Sequence, residues 1–365
     1  MKKRRIVLAS ILKPVDDTRM TEKLGASLSE VEGVDVYVIG YPSQSQASLH
    51  SITSLPLHSF KRISLGRMLA PLIVFKKCIQ VKPDVLIVNT HELLIVSVLN
   101  RILFGSKIVY DIQENYARNI LFTPAFFWLL RPLLAGFVRF KEVLLTPLFQ
   151  GVLLAEKCYE KELPFGRKNR IVIENKAIVP AGFHRHPPAH KIKIVFTGTL
   201  AESTGVFRAI GLVQKLHQLN PKIELELIGY CAIPALLGKI RSAINGCTFI
   251  QLTGGDRLVP HQQVLEAIRT AHFGIVCYPP APHTRNKMPT KLYEYLACEL
   301  PILLQQEPPW INLCNQSQAA ILVDFDNPNV AEINTQLSKP FYTTKPRHVT
   351  WQSEETRFLD WINKF

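Results

Sequence analysis

The stretch NKMPTKLYEYLACELPILL, residues 286–304, combines a short helix with a buried strand. Its apolar side chains recur at the i, i+3, i+4 spacing of a helix face that packs against a core, and the apolar run after Pro301 is typical of a strand. The packing face consists of Leu292, Tyr295 and Leu296. Lys291 and Glu294 lie one turn apart, off that face. The pattern predicts an α/β domain whose helix carries either a solvated ion pair or part of a ligand site.

The same alternation of strand and helix runs through the first half of the chain. Its strands are near-continuous apolar runs, such as VLIVN at 85–89, which is expected when helices cover both faces of a parallel sheet. The predicted strands are 6–12, 34–39, 85–89, 107–110, 152–155 and 171–174. The predicted helices are 18–30, 66–80, 92–103 and 123–147. These elements predict a doubly wound α/β domain.

The stretch 176–190 contains three prolines and three histidines, which predicts a linker. A second series of alternating strands and helices follows it. The predicted strands are 193–196, 223–228, 248–251, 274–277, 302–304 and 320–323. The predicted helices are 205–218, 232–244, 260–270, 289–298 and 328–338, with a last amphipathic stretch at 354–362. We therefore expect domains at 1–180 and 181–345 and a terminal segment at 346–365. Ligands of such sheets bind at the carboxyl ends of the strands, so the cleft between the domains is the expected site.

Composition and net charge limit the classes of molecule that the protein is expected to bind. The chain of 365 residues has a formal net charge of +14. Residues 1–174 hold 24 basic and 15 acidic side chains, a net +9, which favours anionic partners such as nucleotide phosphates or an anionic membrane surface. The seven cysteines are scattered without metal-ligand spacing, so no structural zinc site is expected. The basic, apolar N-terminus fits a first strand better than a signal peptide, and we expect a cytoplasmic protein.

A strand, loop and helix at 194–210, IVFTGTLAESTGVFRAI, form a candidate anion site. Small residues at Gly198, Thr199, Thr204 and Gly205 allow backbone N–H groups to approach an anion at the positive end of the next helix. The stretch matches neither the dinucleotide-binding pattern nor the P-loop, and an ordinary strand-to-helix turn remains the alternative.

Taken in order, these stretches resemble the donor-binding domain of family-4 glycosyltransferases of the GT-B fold. Their signature P-x-K-x-x-E-Y-x-A, followed by a Pro-Ile/Val strand, corresponds to PTKLYEYLA and PIL here. The resemblance implies two doubly wound, Rossmann-like domains facing a central cleft. It also implies transfer of a sugar from a nucleotide diphosphate sugar to an acceptor hydroxyl with retention, in a bacterial enzyme of surface-glycan synthesis. The last helix would cross back to the first domain.

The resemblance also implies the donor-binding residues. Glu294 would bind the ribose, and a carboxylate suits the vicinal hydroxyls of that sugar. The sequence departs from the family pattern at three donor positions: Asn286 stands for a glutamate, Thr199 for an arginine and Thr204 for a lysine. Nearby cations are then expected to meet the diphosphate, namely Arg285, Lys287 and Lys291. We expect no cofactor and no metal, because Asp324-Phe-Asp326 lies far past the donor motif.

In the first half, KPDVLIVNTHELL and KIVYDIQENY resemble the stretches of the family that face the acceptor and the sugar. They imply catalytic roles for His91, Asp111 and Glu114, while Gln113 replaces a histidine of the family. Alternatives are a GT-B-fold nucleotide-sugar epimerase and a binding-only relative. Nucleic-acid binding has no supporting signature.

The segment 119–149 is unusually aromatic and apolar and contains Arg131, Arg139 and Lys141. Its apolar runs are shorter than the about 20 residues that span a bilayer. It predicts either a buried helix or an interfacial helix at the inner face of the cell membrane, where the acceptor would be a glycan or a lipid-linked sugar.

Overall fold

The computed structural model describes residues 3–42, 51–58, 60, 64–122, 126–282, 284 and 286–365. The chain divides into two compact units. The N-terminal unit contains Met1–Asn175 and Trp351–Phe365, and the C-terminal unit contains Lys176–Thr350. Each unit is a parallel sheet with helices, as the near-continuous apolar strands predict.

The N-terminal unit has a seven-stranded parallel sheet in the order β3-β2-β1-β4-β5-β6-β7. Its strands are β1 (Arg4–Pro14), β2 (Val34–Tyr41), β3 (Ile52–Pro56), β4 (Val85–Val88), β5 (Lys107–Ile112), β6 (Gly151–Leu154) and β7 (Arg170–Val172). Its helices are α1 (Ala26–Ser29), α2 (Leu65–Val81), α3 (Leu94–Phe104), α4 (Tyr116–Phe122), α5 (Arg131–Leu145) and α6 (Tyr159–Glu162).

The C-terminal unit has a six-stranded parallel sheet in the order β10-β9-β8-β11-β12-β13. Its strands are β8 (Ile192–Thr199), β9 (Ile223–Tyr230), β10 (Ile250–Gly255), β11 (Phe273–Val276), β12 (Ile302–Gln305) and β13 (Ala320–Val323). Its helices are α7 (Val206–Leu219), α8 (Pro234–Ala243), α9 (His261–Arg269), α10 (Thr290–Ala297), α11 (Pro308–Asn315) and α12 (Val330–Gln336). Apolar cores lie on both faces of this sheet.

The last helix, α13 (Gln352–Ile362), packs within the N-terminal unit. Just before it, the indole Nε1 of Trp351 donates to Ser27 Oγ over 2.9 Å. The ring of Trp361 lies so close to Gly151 that an added Cβ would stand 2.3 Å from it. A larger residue at Gly151 would therefore displace this helix.

The predicted doubly wound architecture is confirmed, and the differences are local. The short strand β3 is missing from the prediction because it is an edge strand that ends in proline. The prediction of one helix over 123–147 is wrong: a 3-10 turn at Trp128–Leu130 leads into α5, which has Pro132 in its first turn, and residues 123–125 lie outside the described ranges. Helix α11 was missed because it opens with two prolines.

The predicted helix over 18–30 begins as a π-helical segment, Thr18–Gly25, and continues as α1. Asp17 caps the segment, since its Oδ1 accepts hydrogen bonds from the backbone N–H groups of Arg19 and Met20. In the described residues, no helix is both long enough and apolar enough to cross a bilayer.

Candidate functional site

The carboxyl edge of the C-terminal sheet is built from glycines that bring backbone segments together. Gly198, near the end of β8, has a φ of +94°, which is the left-handed region that favours glycine. A Cβ on the neighbouring Gly229 would stand 1.6 Å from the carbonyl oxygen of Gly198. Thr199 follows and is exposed. The edge therefore presents main chain rather than side chains.

Helix α7 begins at this edge, and only glycine fits immediately before it. Gly205 has a φ of +84°, and an added Cβ would lie 2.1 Å from the carbonyl oxygen of Cys277. No side chain caps the first turn of α7. The N–H of Val206 donates to the carbonyl oxygen of Ala201 over 3.3 Å, so an anion at the positive end of the helix would meet the later N–H groups of that turn.

Thr204 has a structural role in the loop before α7. Its Oγ1 lies 2.8 and 2.9 Å from the carbonyl oxygens of Thr199 and Ala201, which share its single hydrogen, and it accepts from the N–H of Ala201. The hydroxyl thus closes the turn. The structure places Thr204 beside the predicted anion site, but its side chain already holds the loop.

Lys291 is buried, which corrects the prediction that it lies off the packing face. Its side chain is 6% exposed, and its Nζ lies 3.8 Å from the centroid of the Phe196 ring and 5.2 Å from that of Tyr278. Among the described residues, Nζ has no hydrogen-bond partner. Burial lowers the pKa of Lys291 to about 8, although Glu294 offsets part of this effect.

The position of Lys291 connects it to the glycine edge. A Cβ on Gly198 would lie 4.0 Å from Cε of Lys291, so the lysine stem runs beside this glycine. Cys277 also lies close to Lys291, and burial raises the pKa of its thiol to about 12, so it stays neutral. A buried cation with three donor hydrogens and no described acceptor is suited to an anionic ligand.

Glu294 has a partner that the sequence did not indicate. Its Oε1 lies 2.5 Å from Nε2 of His261, the first residue of α9. Glu294 and Lys291 form no ion pair, so the solvated-pair alternative is wrong. The interaction was hidden from sequence analysis because 33 residues separate the two side chains.

The loop before α10 holds three further predicted residues. Asn286 is exposed and has a φ of +64°, a conformation that asparagine tolerates better than most residues. The carbonyl oxygen of Lys287 accepts a hydrogen bond from Nε1 of Trp310 over 2.7 Å, which ties the loop to α11. Arg285 lies outside the described residues.

Arg208, in the first turn of α7, was missed by the sequence analysis. Its Nη1 donates to Oε1 of Gln305 over 3.0 Å, and its Nη2 pairs with Asp326. Its charge, like that of Lys291, acts on Cys277 and lowers the pKa of that thiol, against the larger effect of burial. The only signal in the sequence is its position three residues after Gly205.

In the N-terminal unit, Asp111 lies within β5 and forms a buried ion pair. Nε and Nη2 of Arg19 donate to its carboxylate over 2.7 to 3.1 Å, and the two side chains are 3% and 1% exposed. Nε2 of Gln113 also donates to Oδ2 over 2.9 Å. Arg19 in turn donates to the carbonyl oxygen of Ile173. With both oxygens engaged, Asp111 holds Arg19 and Gln113 in position.

His91 follows β4 and joins a buried polar cluster. The Lys141 ammonium donates to its Nδ1 over 3.0 Å, and its Nε2 lies 3.5 Å from Oε2 of Glu92. Arg67 pairs with the same Glu92. Burial lowers the pKa of His91 to about 4, so the ring is neutral near pH 7 and carries its hydrogen on Nε2.

Glu114 is half-buried in the loop between β5 and α4, where its Oε2 accepts from Nδ2 of Asn119 over 2.9 Å. His91, Asp111 and Glu114 thus follow or end adjacent strands β4 and β5. The sheet order brings the predicted residues of this unit to one edge.

The sequence matches no known protein-family model and no curated protein. Solved structures, in contrast, match over its whole length. Sucrose-phosphate synthase from Thermosynechococcus elongatus is 14% identical, with a TM-score of 0.72 and 99% of each chain covered. The Anabaena protein HepE in complex with UDP and glucose is 12% identical, with a TM-score of 0.69, over 99% of this chain and 100% of that chain. The fold is GT-B.

A third similar structure is a putative UDP-N-acetylglucosamine 2-epimerase from Listeria monocytogenes. It is 13% identical, with a TM-score of 0.60, over 99% of this chain and 96% of that chain. The predicted GT-B class is therefore confirmed, and identities this low establish the fold alone.

Proposed function

We propose that this protein is a glycosyltransferase that moves a hexose from a nucleotide diphosphate sugar to an acceptor hydroxyl. The observation that carries the proposal is the buried ammonium of Lys291, which has no described hydrogen-bond partner, beside Gly198 and one turn from Glu294. HepE, which has the same fold, was crystallised with UDP and glucose. An anion bearing a ribose satisfies both side chains at once.

In this proposal, different residues of the C-terminal unit bind the diphosphate and the ribose of the donor. Lys291 and the open first turn of α7 meet the diphosphate, with Lys287 as a further cation. Glu294 accepts hydrogen bonds from the ribose hydroxyls, and Gly198 and Gly205 keep the main chain close to the phosphates. Most of the charged side chains assigned to the donor are cations. We therefore expect side chains and backbone N–H groups to compensate the negative charge of the diphosphate.

The chemistry follows from that arrangement. The bond between the anomeric carbon and the diphosphate oxygen breaks, and the diphosphate leaves with the bonding electrons. The acceptor oxygen forms the new bond, and its proton passes to the departing diphosphate oxygen. Lys291 and the N–H groups of α7 stabilise the charge that develops on the leaving oxygen. By resemblance, the configuration at the anomeric carbon is retained, without a covalent enzyme intermediate.

The N-terminal unit would serve the acceptor, through His91 and Glu114. Since His91 is neutral and Glu114 is half-buried, both are able to bind hydroxyl groups. We propose further that the acceptor is a lipid-linked sugar or a surface glycan and that the protein works at the inner face of the cell membrane. The exposed aromatic segment Phe126–Leu130 supports this location.

Two alternative functions can be distinguished from glycosyl transfer by the products that they form. An epimerase, favoured by the similarity to the Listeria structure, would convert a nucleotide sugar without releasing the nucleoside diphosphate into solution. A binding-only relative, favoured by Thr199, Thr204 and Gln113 at positions where the family has charged or histidine side chains, would bind the nucleotide without turnover.

The test is a screen of nucleoside diphosphates by calorimetry, followed by incubation with the matching nucleotide sugars. We expect at least one diphosphate to bind and its sugar to be slowly hydrolysed, with Lys291→Met and Glu294→Ala each weakening the binding and slowing the hydrolysis. Glu266→Ala, on α9 of the same unit, is the matched control. A protein that binds none of the diphosphates contradicts the proposal.

A further inference from the structure

Exposed apolar side chains are concentrated in one part of the N-terminal unit. Of the 27 exposed large apolar side chains in the described residues, 23 lie between residues 65 and 148, and the other four lie in the C-terminal unit. Monomeric soluble proteins rarely expose apolar patches of more than a few hundred Å². A concentration of this kind indicates a surface that is covered when the protein works.

Helices α2, α3 and α5 are each apolar on both sides. Their inner stripes are buried: Val74 of α2 and Val96 of α3 belong to the core beneath the sheet, and Val138 of α5 is buried where α5 packs on α3 and α4. Their outer stripes repeat at helical spacing and are exposed, with Met68 at 75%, Ile102 at 73% and Phe137 at 61%. The residues of the outer stripes used below are Met68, Leu72, Leu99, Ile102, Phe137 and Phe140. A surface helix normally carries polar side chains at such positions.

The three helices form one continuous surface, because α2 packs against α3 and α3 packs against α5. Phe126–Leu130, which includes Trp128 at 64% exposure, extends this surface at the start of α5. We call the outer stripes and this segment the three-helix face. From the sequence, only the part within 119–149 is predicted to be unusually apolar and aromatic.

The three-helix face has positive charges and no exposed carboxylate. Helices α2, α3 and α4 contain no aspartate or glutamate, and the single glutamate of α5, Glu142, is buried and bonded to Tyr110 and Arg139. Lys76 and Lys77 lie on α2, and Arg101 lies on α3. An apolar surface with basic residues is complementary to anionic lipid.

We propose that the three-helix face docks on an anionic lipid bilayer, with the helices lying in the interface. A second copy of the chain is a poorer occupant. A two-fold contact through this face would bring its lysines and arginines against themselves with no carboxylate to pair them. Aromatic residues such as Phe127 and Trp128 are, moreover, suited to the boundary between lipid and water.

Docking there would bring the lipid close to the acceptor residues of the N-terminal unit. Nζ of Lys141 lies 5.7 Å from the ring centroid of Phe137, on the three-helix face, and 3.0 Å from Nδ1 of His91. A single side chain, Lys141, therefore contacts both the three-helix face and His91. This inference rests on the proposed membrane location, but vesicle binding is measured without nucleotide, so docking and transfer can fail separately.

The experiment is co-sedimentation of the full chain with vesicles of phosphatidylcholine, with and without phosphatidylglycerol. We expect binding to the mixed vesicles that weakens with salt but persists, because the apolar contribution is not screened. Three paired variants, Met68→Gln/Leu72→Gln, Leu99→Gln/Ile102→Gln and Phe137→Gln/Phe140→Gln, should each weaken it at least tenfold. Leu219→Gln/Leu258→Gln, equally exposed in the C-terminal unit, should not change it.

Charge is tested separately. Lys76→Ala/Lys77→Ala should weaken binding to the mixed vesicles about fivefold per residue and leave pure phosphatidylcholine unaffected, while Lys215→Ala/Lys222→Ala should change neither. The proposal is wrong if the wild-type chain ignores mixed vesicles at low salt. It is also wrong if the chain forms a dimer that the paired variants abolish, or if circular dichroism shows that all three pairs fail to fold.

Discussion

Nε2 of His261 lies 2.5 Å from Oε1 of Glu294, so the carboxylate proposed to bind ribose is held from one side. The histidine begins α9 and the glutamate lies in α10, and the contact fixes the glutamate rotamer. Oε2 is left to accept from a ligand. His261 is therefore a positioning residue in the proposed donor site.

Replacing Glu294 by alanine should weaken nucleotide binding by ~1.5–3 kcal/mol, the contribution typical of hydrogen bonds to a charged group. Calorimetry with the best-binding nucleoside diphosphate and its 2′-deoxy analogue measures the effect. The wild-type chain should discriminate between the two ligands, and Glu294→Ala should not. Unchanged affinity in Glu294→Ala, with Glu266→Ala as the control, would refute the assignment.

Replacing His261 by alanine should cost less, about 0.5–1.5 kcal/mol, because the histidine acts through Glu294. His261→Gln, which can still donate to the carboxylate, should restore most of the loss. In Glu294→Ala, the change at His261 should have no further effect on affinity, which a double-mutant cycle shows directly. Tighter binding in His261→Ala would mean that the histidine competes with the ribose instead.

Lys291→Met should weaken binding of the diphosphate much more than binding of the nucleoside. The pKa of Lys291 is about 8 and should rise when a diphosphate binds, so binding above pH 8 takes up a proton. Affinity should fall as the pH rises through 8, and this dependence should vanish in Lys291→Met. Calorimetry in buffers of different ionisation enthalpy measures the proton uptake. Equal losses for both ligands would make Lys291 structural.

The same substitution should stabilise the empty protein. Burial lowers the pKa of Lys291 from 10.5 to about 8, so below pH 8 the folded state keeps a desolvated charge, at a cost of roughly 3 kcal/mol. The unfolded chain binds more protons between pH 8 and 10.5, so wild-type stability rises with pH across that window. The advantage of Lys291→Met, measured by denaturation, should be largest near pH 7 and shrink above pH 8. A destabilised Lys291→Met at pH 7 would contradict the burial argument.

Glu114→Gln should lower turnover and leave nucleotide affinity intact, if Glu114 serves the acceptor or the transferred sugar. The amide keeps the size of the side chain and removes its charge, so the fold should not change. The measurement is the rate of product formation at saturating donor. The control is Glu160→Gln, because Glu160 is exposed on α6 of the same unit. Full activity in Glu114→Gln would exclude the role.

Arg19→Leu should destabilise the chain by about 3–5 kcal/mol, because it leaves the buried carboxylate of Asp111 without its ion pair. The double variant Arg19→Met/Asp111→Leu should recover much of that loss, since no buried charge remains. Thermal unfolding of the single and double variants tests this. If the single variant is as stable as the wild type, the pair is not buried in solution.

The strands and helices of the structure show which parts of the fold can be predicted from short stretches of sequence. Strands such as β4 and β9 are apolar runs between turn residues, and helices such as α7 and α10 repeat at 3.6 residues, so both kinds are legible from a short window. Gly198, near the end of β8, and the loop glycine Gly205 were equally apparent from the sequence, because few residue types meet backbone requirements of this kind.

Side-chain contacts between residues distant in the chain could not be predicted from the sequence. His261 and Glu294 are 33 residues apart, and Arg19 and Asp111 are 92 apart, so no local pattern connects them. Burial misled in the case of Lys291, since its spacing from Leu292 and Tyr295 placed it off the core face. The rings of Phe196, in β8, and of Tyr278, just after β11, cover it, and both lie outside its helix.

The sequence by itself determined the alternating elements, the basic charge and the motif of α10. Only the tertiary structure decided which apolar residues are covered. Helices α2, α3 and α5 carry apolar residues on two sides, which a sequence pattern cannot distinguish from complete burial. The sheet order β1-β4-β5-β6 places α2 and α3 against the strands, and α5 packs on α3 and α4, so each helix buries one stripe and leaves the other exposed.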